Sequence, residues 1–195
     1  MELLWRSRGQ YEQQLLDKVS RSEPEWMRRW LDQVHQEFLD ERSKNDRESD
    51  DSTSTLCFVV VRGYDFFYAM CGDSRLYTME HGKSPIAMES EIRGKQTSSR
   101  SKNILNNHIA ADSAEWNLYL RTGSGRIVPG GMLLLCSDGA VTTNDSEKLA
   151  VSSKFALLHS LSRVQEALQE KTEAVVNSIA ELGEQDDITL LAFRP

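Results

Sequence analysis

The chain has 195 residues, and its 30 acidic and 23 basic side chains give a formal net charge of −7. Hydrophobic residues make up 39% of it, enough for a sizeable core, so a chain disordered throughout is excluded. The acidic balance argues against binding to nucleic acid or an anionic membrane, and no apolar run approaches the roughly 20 residues that a membrane-spanning helix needs.

The three cysteines, Cys57, Cys71 and Cys136, each lie in an apolar run and lack the spacing of metal ligands. They are predicted to be reduced core residues, which favours a cytoplasmic location. The first residues, Met1 to Arg6, lack the charged and then apolar layout of a signal peptide.

The N-terminal 45 residues are predicted to be helical. Apolar side chains recur at three- and four-residue steps from Trp26 to Phe38, which indicates an amphipathic helix. An earlier helix is predicted from Tyr11 to Val19. The polar stretch from Glu41 to Ser54 is predicted to be a linker.

Residues 53–88 are predicted to form an antiparallel strand meander. Short runs of β-branched and aromatic residues alternate there with turns that contain glycine. The predicted strands are Leu56–Val61, Phe66–Cys71 and Leu76–Met79.

The second half of the chain begins with the polar residues 89–114, which are predicted to be a loop. Strands are then predicted at Trp116–Leu120 and Met132–Cys136, and a buried strand at Ile188–Phe193 closes the chain. Two helices are predicted before that last strand. The side chains that mark the first are Phe155, Leu158, Leu161 and Leu168, and those that mark the second are Val175, Ile179 and Leu182, with Gly183 as its C-terminal cap.

The order of helices, strands, helices and a strand predicts an α+β fold with an antiparallel sheet core. A dinucleotide-binding or P-loop fold is excluded because the sequence contains neither glycine-rich motif. The four histidines, His35, His81, His108 and His159, are interpreted as surface or structural residues. No motif of a serine nucleophile occurs, and the cysteines do not resemble activated thiols.

Three carboxylates stand where a predicted strand stops. Asp73 lies at a break between two strands, Asp138 directly follows an apolar strand, and Asp186 directly precedes the last strand. Each aspartate alone is ordinary turn chemistry. Three together at strand ends favour a site for a hard divalent cation, which prefers oxygen ligands.

Four segments in order resemble the metal-dependent protein phosphatases of the protein phosphatase 2C family. They are Thr53–Leu56, Gly72–Arg75 (Gly-Asp-Ser-Arg), Val128–Gly139 (ending in Ser-Asp-Gly) and Gln185–Leu190. The resemblance covers roughly residues 24–195.

The resemblance implies an antiparallel β-sandwich flanked by pairs of antiparallel helices, with a variable flap over residues 89–114. It also implies a two-metal centre in which Mg²⁺ or Mn²⁺ activates water for attack on phosphoserine or phosphothreonine. Asp138 and Asp186 would be ligands of this centre, and Asp73 would belong to a third, weaker site. Gly139 and Asp187 adjoin the ligands, Asp187 standing where the family usually has Asn. No catalytic residue beyond the metal ligands is identified, and the expected partner is a phosphoprotein substrate or a signalling protein.

The sequence also departs from the family pattern. It lacks the N-terminal arginine that grips phosphate, a Glu/Asp pair and the Asp-Gly-x-Gly motif that bridges both metals. The expectation is therefore a single domain over residues 1–195 without its N-terminal strands, which alone hydrolyses phosphate esters poorly. Two interpretations remain open: a shortened working phosphatase, or a pseudophosphatase that acts as an interaction module. An unrelated metal-binding α+β protein ranks last.

Overall fold

The computed structural model describes residues 25–44, 53–88, 109–110, 120–141, 148–183 and 187–195. The chain divides into two compact units: the first unit takes residues 1–72 and 91–125, and the second unit takes residues 73–90 and 126–195. The predicted helix from Tyr11 to Val19 lies outside the described residues, as does most of the predicted flap. No helix in the described ranges has both the length and the apolar character to cross a membrane.

The described helices and strands, in chain order, are α1 (Glu25–Lys44), β1 (Thr53–Ser54), β2 (Leu56–Arg62), β3 (Asp65–Cys71), β4 (Arg75–Met79), β5 (Ile86–Ala87), β6 (Ile109–Ala110), β7 (Arg121–Arg126), β8 (Met132–Cys136), α2 (Lys148–Leu161), α3 (Leu168–Glu181) and β9 (Leu190–Phe193). A short 3₁₀ turn at Asp138–Ala140 follows β8. The α+β class and the antiparallel pairing predicted from the sequence are confirmed.

Helix α1 in the first unit confirms the predicted amphipathic helix. Its apolar face is buried at Trp26, Trp30 and Val34, as the three- and four-residue spacing requires. The helix continues to Lys44, so the linker predicted from Glu41 begins too early.

The main sheet of the first unit has the strand order β2-β3-β7. Strands β2 and β3 form the predicted hairpin, in which Leu56 pairs with Cys71 and Arg62 with Asp65. Gly63 has a φ of 59° in the connecting turn, a conformation that glycine adopts without strain. The indole of Trp26 meets the ring of Phe67 edge-on at 6.3 Å between centroids, which places the helix against β3.

Strand β7 was not predicted from its sequence, Arg-Thr-Gly-Ser-Gly-Arg. A Cβ atom at Gly123 would lie 2.5 Å from the Tyr68 hydroxyl, and one at Gly125 would lie 2.5 Å from the Phe66 ring. The glycines therefore make room for aromatic rings of the neighbouring strand, a tertiary reason that a propensity argument does not contain. Of the strand predicted here instead, only Leu120 is described, and it lies outside any strand.

One further prediction about strand organisation is wrong. Strand β4 does not continue a meander from β3, because the two belong to different sheets and Gly72, with a φ of 98°, separates them. Within the predicted flap, Ile109–Ala110 form β6 and pair with β1.

The second unit contains an antiparallel sheet of strand order β5-β4-β8-β9. Helices α2 and α3 contact each other, and their apolar faces join one core with this sheet. The predicted helices are confirmed, except that Leu168 begins α3 rather than ending α2. The last strand is shorter than predicted and is not fully buried, since Leu191 on it is 57% exposed.

Candidate metal centre

Asp73 and Asp138 lie at the same end of the four-stranded sheet. Strands β4 and β8 are antiparallel, and Arg75 is paired with Cys136. Asp73 stands two residues before Arg75, and Asp138 stands two residues after Cys136. Antiparallel pairing therefore places both aspartates beyond the same end of the sheet, as expected for residues that serve one site.

Strand β9 brings the last motif to the same end. Cys136 is paired with Leu190, so the residues that precede β9 lie beside those that follow β8. Ser137 fixes this juxtaposition: its N–H donates to the carbonyl of Thr189 at 3.0 Å. Its hydroxyl donates to the carbonyl of Asp187 at 2.9 Å and accepts from the N–H of Thr189 at 2.9 Å.

The hydroxyl of Ser137 takes a place that a backbone carbonyl would hold in a regular ladder. The carbonyl of Ser137 accepts instead from the N–H of Ala140 at 3.2 Å, because the chain turns there into the 3₁₀ turn. The hydroxyl thus extends the pairing of β8 with the chain before β9 by one residue. The turn can begin at this point because the N–H of Thr189 still has an acceptor.

The Asp138 carboxylate is held close to its own backbone. The N–H of Gly139 donates to Oδ1 of Asp138 at 2.9 Å, and the N–H of Val141 donates to the Asp138 carbonyl at 2.8 Å. Asp138 is half-buried and Gly139 is buried. The hydrogen bond from the Gly139 N–H orients Oδ1 of Asp138 relative to the turn.

Lys154 of helix α2 supports the same turn from the core. Its Nζ donates to the carbonyl of Gly139 at 2.9 Å, and its side chain is only 1% exposed. Lys154 was not predicted as a site residue. The signal was present, since Lys154 stands on the helix face that Leu158 and Leu161 mark as buried. Ser137 was likewise named only as part of a motif.

Of the other predicted site residues, the structure describes Asp73 and Asp187 and does not describe Asp186. Asp73 is half-buried and directly follows Gly72, which takes up the positive φ of the turn. Asp187 is exposed, and its carbonyl is the group that Ser137 binds. Asp186 lies outside the described residues, so its role as a ligand stays a prediction.

The donor chemistry at this end of the sheet fits a hard divalent cation. The predicted ligands are all carboxylates, the oxygen donors that Mg²⁺ and Mn²⁺ prefer. Within the described ranges, no three His, Cys, Asp or Glu side chains come together closely enough to hold a metal ion. Asp73 and Asp138 are thus two described candidates, and a complete centre would need Asp186 or another group.

Other reactive groups of the described residues are tied to structural roles. Burial raises the pKa of Cys57 to about 12 and that of Cys71 to about 11, so both thiols stay protonated near neutral pH. Burial also raises the pKa of Tyr77 to about 12, Cys136 acting in the same direction and Arg75 against it. Nε2 of His159 lies 3.2 Å from the carbonyl of Gly82 and ties α2 to a turn.

The fold is an α+β fold with aspartates at the strand ends of one antiparallel sheet, and a family comparison identifies the class of protein. The sequence model of the protein phosphatase 2C family matches residues 7–182. The chain therefore belongs to the protein phosphatase 2C family, as its four motifs predicted. Protein phosphatases are hydrolases. The alternative of an unrelated metal-binding α+β protein is excluded by the family match.

Solved structures of bacterial serine/threonine phosphatases share this fold. PppA, a regulatory component of the T6SS in Pseudomonas aeruginosa, is 24% identical over 85% of this chain and 66% of its own, with a TM-score of 0.57. The phosphatase of S. agalactiae is 18% identical over 89% of this chain and 73% of its own, with a TM-score of 0.63. The catalytic domain of PstP, solved with two manganese ions, is 17% identical over 82% of this chain and 65% of its own, with a TM-score of 0.58.

These likenesses establish the fold. The chain spans about two-thirds of the length of PppA and of the PstP domain. No curated protein sequence matches the chain.

Proposed function

We propose that this chain is a metal-dependent phosphatase domain that hydrolyses phosphoserine and phosphothreonine in proteins with Mg²⁺ or Mn²⁺. The observation that carries the proposal is the strand register, which places Asp73, Asp138 and the chain just before β9 at one end of a single sheet. Membership of the protein phosphatase 2C family supports the reaction class.

In this proposal Asp138 and Asp186 hold the metal centre, and Asp73 contributes to a weaker, additional site. When bound, the ions supply an activated water for in-line attack on phosphorus and neutralise charge on the phosphoryl group. The chain's own contribution is position: the Gly139 N–H orients one oxygen of Asp138, and Ser137 holds the chain that leads into Asp186 beside it. Gly139 and Asp187 contribute through their backbones, Gly139 through its N–H and Asp187 through its carbonyl.

The substrate in this proposal is a phosphorylated segment of another protein. Such a segment suits a site at the end of a sheet, where strand-end carboxylates can hold cations that bind the phosphoryl group. The expected setting is signalling in the cytoplasm, in line with three free cysteines.

A second function, that of a pseudophosphatase acting as an interaction module, is favoured by one observation. The sequence contains no Asp-Gly-x-Gly motif, although that motif supplies the bridging ligand in the family pattern. A centre that depends on two ions about 3.5–4 Å apart would be weakened without it.

Mn²⁺ binding and turnover distinguish the two functions. Isothermal titration of the full chain with Mn²⁺ should show binding, and Asp138→Asn should weaken it more than ~100-fold, since losing even a hydrogen-bond partner of a ligand costs ~10–100-fold. Bound Mn²⁺ should also raise the melting temperature of the wild type by mass action. Turnover of p-nitrophenyl phosphate should be slow but measurable, and Asp138→Asn should abolish it.

Asp40→Asn is the matched control, because Asp40 is an exposed aspartate on helix α1 of the first unit. This variant should bind Mn²⁺ and turn over substrate like the wild type. If the wild type neither binds Mn²⁺ nor hydrolyses the ester, the phosphatase proposal is wrong and the interaction module is supported. Brisk turnover that survives Asp138→Asn would place the catalytic residues elsewhere.

A further inference from the structure

Lys154 is a charged side chain in the interior of the second unit. It lies on α2, one helical turn before Leu158, and only 1% of it is exposed. Lysine is rarely fully buried unless its ammonium group is paired, because removing the charge from water is costly. A lysine at this core position therefore calls for a role that an apolar side chain would not fill.

One partner of Lys154 is the middle residue of the turn that carries Asp138. Nζ donates to the carbonyl of Gly139 at 2.9 Å. Within the 3₁₀ turn, the carbonyl of Ser137 accepts from Ala140 and the carbonyl of Asp138 accepts from Val141. The Gly139 carbonyl is the next acceptor in this series, and the ammonium group of Lys154 reaches it from the core, since the turn has ended.

This bond joins the turn to helix α2, an element 15 residues away in the chain. A charge-assisted hydrogen bond is roughly twice as strong as a neutral one. Gly139 follows Asp138 directly, and its N–H holds Oδ1 of that carboxylate at 2.9 Å. The Gly139 carbonyl and the Gly139 N–H are joined through one Cα atom, so restraining the carbonyl also restrains the donor that orients Asp138.

We propose that Lys154 is a positioning residue, which holds the Asp138–Ala140 turn through the Gly139 carbonyl and so fixes the Asp138 carboxylate for a divalent cation. This inference rests on the proposed function for its metal half. Its structural half, the restraint of the turn, holds for the metal-free protein and can be measured there.

The test compares three variants of the full chain with the wild type. Lys154→Met keeps the length of the side chain and removes the donor and the charge. Lys154→Gln keeps a donor on a shorter side chain. Leu158→Ala is the matched control, because it removes apolar volume from the same core on the same helix and takes no hydrogen bond away from the turn.

Amide hydrogen exchange in the metal-free protein measures the restraint of the turn. Lys154→Met should speed exchange at the N–H groups of Ala140 and Val141 about tenfold or more, as the loss of a charge-assisted bond predicts. Lys154→Gln should show a smaller change. Leu158→Ala should lower the melting temperature and leave these two amides within about twofold of the wild type at 25 °C once global unfolding is subtracted.

Titration with Mn²⁺ measures the consequence for the carboxylate. Lys154→Met should raise the Kd about 10–100-fold, the effect typical of losing a group that orients a ligand, and Lys154→Gln should recover part of the affinity. Leu158→Ala should bind like the wild type. Equal losses in Lys154→Met and Leu158→Ala would overturn the proposal, and so would tighter binding by Lys154→Met, which would mean that the ammonium acts by repelling the cation.

The failure of the proposed function gives a different pattern. If the wild type binds no Mn²⁺, the metal function is wrong, and the exchange data alone decide what Lys154 does. Faster exchange at Ala140 and Val141 in Lys154→Met would then support the restraint of the turn. Unchanged exchange would overturn it.

Discussion

The two units of the molecule differ in how they treat buried polar groups. The core of the first unit joins α1 to β2 and β3 and is almost entirely apolar. Among the described residues its buried polar atoms include the indole nitrogens of Trp26 and Trp30, neither of which has a hydrogen-bond partner. Within its described ranges, the second unit buries one donor without a partner, Nε of Arg194, and it also buries the ammonium group of Lys154, which it pairs with a backbone carbonyl.

The difference shows that apolar burial stabilises the first unit, whereas polar contacts position the backbone in the second unit. A buried donor without a partner costs about 1–3 kcal/mol, and the first unit tolerates two such donors because the burial of the rings outweighs them. The second unit instead uses polar groups at Ser137 and Lys154 to hold backbone at the end of its sheet. Every described aspartate of the candidate site lies in this second unit.

The largest expected effect is a loss of stability in the first unit. Trp30→Ala removes a buried ring that lies 5.1 Å from the Phe58 ring centroid. It should lower the free energy of unfolding by about 3–5 kcal/mol, measured by urea denaturation followed by circular dichroism. The Mn²⁺ affinity of the molecules that remain folded should not change, because the site belongs to the second unit.

Trp30→Phe is the control for that prediction. It keeps much of the ring packing and removes the indole N–H that has no partner, so it should cost much less than alanine. Equal losses for phenylalanine and alanine would show that the indole nitrogen, and not the ring, stabilises the first unit. The comparison between the units would then be wrong.

The elements that could be predicted from the sequence are those whose pattern is local. Helix α1 was predicted from its apolar spacing, and strands β2, β3 and β8 were predicted from dense apolar runs. Strand β7 was missed because its glycines make room for aromatic rings of a neighbouring strand, and this contact cannot be read from its own sequence. The separation of β4 from β3 was missed because a single glycine conformation decides it.

The candidate site follows the same rule. Asp73 and Asp138 could be found because motifs and apolar strands mark them. The contacts that hold them could not, since Ser137 reaches residues 50 and 52 positions further along the chain and Lys154 reaches back 15. Such contacts depend on register and helix packing, which no local pattern encodes.

A smaller loss is expected from Ser137→Ala in the second unit. The substitution removes the donor to Asp187 and leaves the N–H of Thr189 without its acceptor. It should lower the free energy of unfolding by about 1–3 kcal/mol and weaken Mn²⁺ binding by more than the Trp30 variants do. Ser160→Ala is the control, because Ser160 makes one hydrogen bond within its own helix, to the Leu157 carbonyl. If both serine variants leave Mn²⁺ affinity unchanged, Ser137 does not hold the site.

The smallest expected effect is a fall in stability at alkaline pH that comes from the first unit. Burial raises the pKa of Cys57 from 9.0 to about 12. Between these values the unfolded chain loses the thiol proton and the folded chain keeps it, so the folded state binds more protons and the free energy of unfolding falls as pH rises. The contribution is intact below pH 9, and between pH 9 and 10 the fall should be about 1 kcal/mol for Cys57 alone. Burial raises the pKa of the Cys71 thiol to about 11, which acts in the same direction.

The window of pH 9 to 10 separates the thiols of the first unit from the phenol of Tyr77 in the second, whose pKa rises from 10.0 to about 12. Unfolding by urea at pH 8, 9 and 10 measures the slope. Cys57→Val keeps an apolar side chain of similar size in a strand and removes the titrating group, so it should flatten the slope between pH 9 and 10 by about half. Because the phenol of the unfolded chain is only half ionised at pH 10, Tyr77→Phe should change that interval by about 0.3–0.4 kcal/mol, less than half the effect of Cys57→Val. A slope that Tyr77→Phe removes and Cys57→Val retains would assign the alkaline sensitivity to the second unit and reverse the comparison.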